Sequence, residues 1–480
     1  MAQCTVRSSH CPTICASCSA DPQPAAAPAS LRVSVTASRS RAPRAHTAHR
    51  PPPPPPPSDS LAYALQQAAV LVDAVLAGGN LNEHWEALLG ANPEWSDATR
   101  GAVRDLSWGT LRDYGRGDAV LKRLLDKPLA APYHALLLVA VQRMETRPDQ
   151  VHTVVDQAVQ AVGATAPGLR GVVNAVLRNV VRRADEVDAW RRQDEEALHR
   201  HPRWWVERLR KAWPAQWEAA VAAGNSHPPM CLRVNRRRST PAAVVAEFAA
   251  AGIAARVVGE DGVLLDRPLA VARVPGFAEG VVSVQDAGAQ HAARWLGAQA
   301  GDRVLDACAA PGGKAAHVLE LADVELTALE LDPRRARRID ENFTRLGVTG
   351  RVVIDDARQP ARWWDGRPFQ RILADVPCSA SGVARRNPDI KWLRRAPDLA
   401  RFAALQAEII DALWQTLARG GTMLYVTCSV FDEENRAQIA AFCRRHDDAE
   451  RLLIEGRPEQ QLLPTADHDG FYYALLRKRP

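Results

Sequence analysis

No apolar run in this chain comes near the roughly 20 residues that a membrane-spanning helix requires, so no membrane partner is expected. Net charge is nearly missing once the first 59 residues are set aside: that segment holds six arginines, two aspartates and no lysine, and supplies +4 of the formal +6. A nucleic-acid partner must therefore be sought in local clusters rather than in an overall field. Cysteine is sparse and scattered. Cys4, Cys11, Cys15 and Cys18 crowd the N-terminal segment, but no second pair or histidine cluster follows at zinc-finger spacing, so no metal is expected. Scattered thiols suit a reducing cytoplasm better than a disulfide framework, and a cytoplasmic protein is expected. The glycine-rich turn near residue 310 lacks both the G-x-x-x-x-G-K-[ST] of a phosphate loop and the G-x-G-x-x-G of dinucleotide folds.

At 480 residues the chain is too long for one ordinary core, and two or three domains are expected. Residues 1–59, rich in Arg, Ala, Ser and Pro and containing the run Pro51 to Pro57, bury too little apolar surface to fold and read as a disordered low-complexity tail. Two origins stay open for it, a targeting peptide and a translated upstream region without a role. From Leu61 to Glu186, apolar residues recur at three- and four-residue steps, with Gly78-Gly79-Asn80 stopping the first helix. Six or so short-looped helices make an all-α bundle over 60–200. Its stretch Arg170–Asn179 carries basic residues along an amphipathic helix, which serves either as a solvated face or as an RNA-contacting one. Residues 201–284 read as a connector and a small α+β unit: a strand at Met230–Val234, a helix at Pro241–Ala250, and short strands around Val257, Val263–Leu265 and Val281–Val284. The basic knot Arg236, Arg237 and Arg238 on its lip fits single-stranded RNA. From 285 to 480, strands alternate with helices, which predicts a doubly wound, mainly parallel sheet.

In such a sheet, ligands and reactive groups gather at the carboxyl ends of the strands. The turn Cys308-Ala309-Ala310-Pro311-Gly312-Gly313-Lys314 follows the strand Arg303–Asp306, and its glycines and helix-start amides let a ligand approach backbone. Glu330 ends the next strand, where a carboxylate can accept ribose hydroxyls. Asp355 and Asp356 end the third, where a carboxylate can receive the amine of adenine. Together they suggest S-adenosylmethionine as cofactor, although an acid at a strand end is often only a helix cap.

Cys378 and Cys428 each lie at a strand exit and each is followed by serine, unlike Cys231, Cys308 and Cys443, which read as inert buried thiols. Carbon 5 of cytosine is too weak a nucleophile to take a methyl group unaided. A thiolate adding at carbon 6 turns the ring into an enamine-like nucleophile, splitting one hard step into two. That addition calls for an acid beside ring nitrogen 3, for which Asp375 is placed. An amino-group methyltransferase would instead carry Asp/Asn-Pro-Pro-aromatic at the fourth strand, where this chain reads Asp375-Val376-Pro377-Cys378.

The segments Asp306–Lys314, Asp375–Trp392 and Thr427–Asn435 resemble the motifs of RNA cytosine-5 methyltransferases of the Fmu/Sun/NOL1/NOP2 family, and region 61–186 is similar to NusB. The resemblance covers the chain beyond the tail. It implies a multidomain fold: an all-α NusB-like bundle, a small α+β RNA-binding unit, and an α/β Rossmann-like class I methyltransferase domain. It also implies that Cys428 is the nucleophile and Cys378 assists product release, with Asp375 and Lys314 in the catalytic set. The expected cofactor contacts are Cys308, Ala309, Ala310, Pro311, Gly312, Gly313, Lys314, Glu330, Asp356 and Asp375. The expected partner is 16S rRNA, unassembled or partly assembled, met by a monomer. Arg236, Arg237, Arg385, Arg386 and Lys391 are expected on phosphates, with Trp392 either stacking a base or in the core. Glu330, Gly288 and Asn387 depart from residues usual in the family without removing a reacting group.

Overall fold

A computed structural model of the chain describes residues 54–480. The four clustered cysteines and most of the arginine-rich tail lie outside the described residues. Among those described, no helix is long and apolar enough to cross a membrane.

The chain enters its first helix, Leu61–Leu76, through Ser60, whose side chain accepts from the Tyr63 amide and so satisfies one of the free N–H groups of the first turn. Leu65, Leu71 and Val72 of that helix pack with Val103, Leu137, Leu138, Val154 and Leu177 in the core of the helical region. These residues come from helices Asp97–Arg112, Tyr133–Thr146, Val151–Thr165 and Arg170–Arg182, within the stretch where apolar residues recur at helical spacing. Helices Leu81–Ala91 and Ala184–Gln193 were not foreshadowed. The first carries Leu81, Trp85, Leu88 and Leu89 at helical spacing, but over only 11 residues, and lays the last three half-buried against that core.

Four strands follow: β1 (Met230–Val234), β2 (Ala255–Val258), β3 (Gly262–Leu265) and β4 (Val282–Val284). They form an antiparallel sheet in the order β2-β3-β1-β4. Helix Pro241–Ala250 lays Val244 and Phe248 against Leu232, Val263 and Leu265 of this sheet.

The larger sheet is built from β5 (Arg303–Ala307), β6 (Glu325–Glu330), β7 (Arg351–Ile354), β8 (Phe369–Asp375), β9 (Leu417–Thr427), β10 (Ala449–Leu452), β11 (Gln460–Leu462) and β12 (Phe471–Lys478). Its order is β10-β12-β9-β8-β5-β6-β7, with β11 pairing β12. Strands β5 to β9 pair parallel, as the alternation of strands and helices requires. β12 runs antiparallel between β9 and β10. The order reverses between β5 and β8, so the crevice beyond their carboxyl ends is where an open α/β sheet binds its ligand.

The small sheet is locked to the large one by buried charge. Arg233 of β1 pairs with Glu320 at 2.7 Å, and the Asp261 carboxylate bridges Arg294 at 2.6 Å and His317 at 3.1 Å.

Candidate active site

β5 leads into a turn whose backbone only some residues tolerate. Gly312 sits at φ +90°, left-handed space that side chains avoid, and a Cβ there would lie 3.1 Å from Ile339. The helix Gly313–Leu321 starts immediately after, which puts Lys314 in its first turn. Because β5 and β8 pair with Ala307 opposite Ala374, Lys314 meets the last residue of β8, and its Nζ donates to Asp375 Oδ2 at 2.6 Å. Burial alone would lower the lysine pKa, but the charge and hydrogen bond of Asp375 outweigh it and the net shift is upward, so Lys314 is a fixed cation.

Asp306, the residue before the last of β5, is buried, and neither of its carboxyl oxygens has a hydrogen-bond donor at bonding geometry among the described residues. Burial and then the nearby Asp375 charge push its pKa well up. Glu330 ends β6, but its carboxylate turns back on the protein: it accepts from the Ala310 and Asp332 amides, each at 3.1 Å. Arg335 reaches the same turn, donating to the Ala310 carbonyl at 3.0 Å. Asp356 binds Arg358 through both carboxylate oxygens, a contact that lowers its pKa. A Cβ on Gly313 would meet only Gln285 Nε2, at 3.8 Å, so the turn backbone is open to a close-lying ligand there. An unpaired buried carboxyl, an open glycine and a strand-end acid on a strand-to-helix turn are donors and acceptors that suit an adenosyl amino acid.

The thiols meet. β8 and β9 pair with Asp375 opposite Val426, so the loops leaving them run side by side, and Cys378 Sγ lies 3.5 Å from Cys428 Sγ. The hydrogen bond with Cys428, and then burial, raise the Cys378 pKa well above that of a free thiol. Cys308 and Cys231 are shifted upward by burial first, Cys231 to about 12, and neither touches this pair. Cys443 is likewise raised by burial.

Two expected RNA contacts, Arg385 and Lys391, are buried away from any phosphate, and Arg386, part-exposed, is already paired. Arg385 is 1% exposed, with Nε on Asp469 and Nη1 donating to the Thr465 carbonyl at 2.6 Å. Arg386 spans Asp469 and Asp286. Lys391 is fully buried and caps backbone, donating to the carbonyls of Arg112 and Arg200 at 2.8 Å and to Asn225 Oδ1 at 3.0 Å. Each arginine found an acid, although Arg385 Nη2 has no hydrogen-bond partner among the described residues, and Lys391 found carbonyls in place of an acid, its burial pushing its pKa well below the ordinary lysine value. Trp392 is no stacking platform: its Nε1 donates to the Leu111 carbonyl and its ring packs edge-on against Tyr114. Arg236 and Arg237 remain partly exposed beside Asp261 and Asp323.

Some groups escaped the sequence reading altogether. Glu434 binds the serines that follow both thiols, and Asn435 accepts from Thr427 Oγ1 at 2.6 Å and donates to the Ser429 carbonyl at 2.9 Å. The signal was a run of acids, Asp432 to Glu434, close behind Cys428, but nothing local distinguishes the buried acid from its more exposed neighbours.

Comparison with known proteins agrees with this architecture. The family model for 16S rRNA methyltransferase RsmB/F matches residues 293–477, the RsmF/B-like ferredoxin-like domain matches 201–272, and the NusB family matches 64–182. The chain is similar to ribosomal RNA small subunit methyltransferase B of Vibrio cholerae, 42% identical and covering 86% of this chain and 96% of that one. The Pseudomonas putida protein of the same name is 43% identical over 86% and 97%. Among solved structures, PH0851 superposes with a TM-score of 0.71 at 21% identity, covering 86% of this chain and 99% of its own. With relatives matched over nearly their whole length and family models on the helical, ferredoxin-like and catalytic parts alike, the chain belongs to the RsmB/F family of 16S rRNA methyltransferases.

Proposed function

We propose that this chain methylates carbon 5 of a cytosine in 16S rRNA, using S-adenosylmethionine and a covalent bond between Cys428 and carbon 6 of the ring. The observation that carries the proposal is the pair of thiols 3.5 Å apart at the ends of adjacent parallel strands, beside the Lys314–Asp375 ion pair. An enzyme that only transferred a methyl group to an amine would have no use for a second thiol at that distance.

The cofactor, when bound, supplies an electrophilic methyl group on a sulfonium centre. Residues 308–314, Glu330 and Asp356 would hold it. The Cys428 thiolate adds to carbon 6, and the electron pair this pushes into the ring makes carbon 5 nucleophilic. Asp375 is the acid offered to ring nitrogen 3, where addition at carbon 6 builds negative charge, and the Lys314 cation beside it steadies that charge and helps orient the base. After transfer, the proton on carbon 5 must leave so that the Cys428–carbon 6 bond can break, and Cys378 is the group positioned to assist that elimination. The target base must leave its stack to reach these groups. Arg236 and Arg237, on the lip of the small sheet, are the candidates for phosphate contacts.

The test is transfer of tritium from methyl-labelled S-adenosylmethionine to unmethylated 16S rRNA, followed by nucleoside analysis. Label in 5-methylcytosine is expected. Label in any other nucleoside, or none, overturns the proposal.

A further inference from the structure

Each reactive cysteine is followed by a serine, and the structure brings the two serines together beneath the thiols. Ser379 Oγ and Ser429 Oγ lie 3.2 Å apart, and Ser381 Oγ lies 3.1 Å from both. One carboxylate closes the cluster. Glu434 Oε2 accepts from Ser379 Oγ at 2.6 Å and Ser429 Oγ at 2.5 Å, and Oε1 accepts from the Ser379 amide at 2.7 Å and Gln406 Nε2 at 3.2 Å. Gln406 Nε2 also donates to the Pro377 carbonyl at 3.0 Å, so the peptides on both sides of Cys378 are tied to this group. The Tyr425 hydroxyl donates to the Glu434 carbonyl at 2.6 Å and lies 3.2 Å from Gln406 Oε1, anchoring the clasp to β9.

Glu434 is fully buried, as are Ser379, Ser429 and Gln406. A carboxylate is expensive to bury unless donors satisfy it, and this one has donors on both oxygens. Its neighbour Glu433 is spent differently, on an exposed pair with Arg208 at 2.8 Å, so position 434 is not simply one more acid of a charged run.

We propose that Glu434 is a positioning residue that sets the distance and aim of the two thiols by gripping the residue after each. The proposal rests on the assignment of Cys428 and Cys378 made above. Glu434 hydrogen-bonds neither sulfur and does not reach the site surface, so its grip passes through Ser379, Ser429 and Gln406, while its charge is one of the lesser influences that raise the Cys378 thiol. If that grip is lost, the loops leaving β8 and β9 keep their strands but lose their common reference point. Attack and elimination both need reacting atoms held close and aligned, and a displacement of about 1 Å can cost on the order of a hundredfold in rate.

The experiment uses the full chain, labelled S-adenosylmethionine and unmethylated 16S rRNA, and compares wild type with Glu434→Ala, Glu434→Gln, Ser379→Ala and Ser429→Ala. Glu434→Ala is expected to lower kcat on the order of a hundredfold, with KM for RNA and Kd for the cofactor within about twofold of wild type. Glutamine keeps one acceptor, and its NH2 can donate to serine hydroxyls that rotate to receive it. Glu434→Gln should therefore recover about tenfold of that loss, a rescue that a requirement for charge would not give. If Glu434→Ala does not fold, the serine variants carry the test, each expected to lower kcat about tenfold at unchanged KM. Folded variants with wild-type kcat overturn the proposal, and so does Glu434→Gln falling as far as Glu434→Ala. A wild-type chain without cytosine methylation would instead overturn the assignment of the thiols.

Discussion

Gly382 and Gly470 meet backbone to backbone. The Gly470 amide donates to the Gly382 carbonyl at 2.9 Å, while the Gly382 amide donates to the Cys428 carbonyl at 2.8 Å. A Cβ on Gly382 would stand 2.2 Å from the Gly470 oxygen, closer than a non-bonded carbon and oxygen can approach. The loop that carries Cys378 is thus pinned on one side by the loop of Cys428 and on the other by the entry to β12. Gly382→Ala should cost about 1–3 kcal/mol by overpacking and reduce methylation as the loop is displaced. An unchanged denaturation midpoint with full activity would show that the contact yields.

The two thiols are separated by what each variant leaves behind. Cys428→Ala should abolish methylation and form no protein–RNA adduct. Cys378→Ala should attack and methylate, then stall as an adduct that survives a denaturing gel. The double variant should follow Cys428→Ala, because attack precedes release. Adduct in Cys428→Ala alone would reverse the two roles.

Glu330→Ala should weaken S-adenosylmethionine binding about tenfold to a hundredfold, as expected for a charge-assisted bond of roughly 1.5–3 kcal/mol. Because the carboxylate also holds the Ala310 and Asp332 amides, part of that loss will come from a loosened turn. Unchanged affinity by calorimetry would place the ribose contact elsewhere.

His317 ties the small sheet to the large one and is held neutral. Burial lowers its pKa from 6.5 to about 4, against the hydrogen bond it donates to Asp261, which raises it, and with the Arg233 charge, which lowers it further. The unfolded chain therefore takes up a proton between pH 6.5 and 4 that the folded chain refuses. Stability should be fully present above about pH 6.5 and fall by up to about 3 kcal/mol as pH drops through that window. His317→Gln should flatten the decline. A melting temperature equally steep in pH with glutamine at 317 would refute this.

The helices at 61–76 and 241–250 and the strands β5, β8 and β9 were legible in the chain because each writes its own period over a few turns or pleats. Helix Leu81–Ala91 carries its period, Leu81, Trp85, Leu88 and Leu89, over only 11 residues and buries just the first fully, and β10 and β11, at the edge beyond β12, are short strands whose assignment depends on a partner. Lys391 shows the limit of charge as a guide. In sequence it sits among Arg385, Arg386 and Trp392 like part of a phosphate-binding stretch, yet in space it closes the carbonyls at Arg112 and Arg200.

What the sequence determined by itself is the local chemistry: a strand-to-helix turn of residues 308–314, acids at strand ends, and cysteines at the exits of two strands. Those depend on residues a few positions apart, where backbone geometry alone fixes the relation. Only the tertiary structure decided which groups face each other. The thiols stand 50 residues apart in the chain and 3.5 Å apart in space, Glu434 reaches Ser379 across 55 residues, and Lys391 finds Arg112 across 279. A buried charge takes whatever partner the fold brings within hydrogen-bond reach, and strand order, not chain order, sets what that partner is.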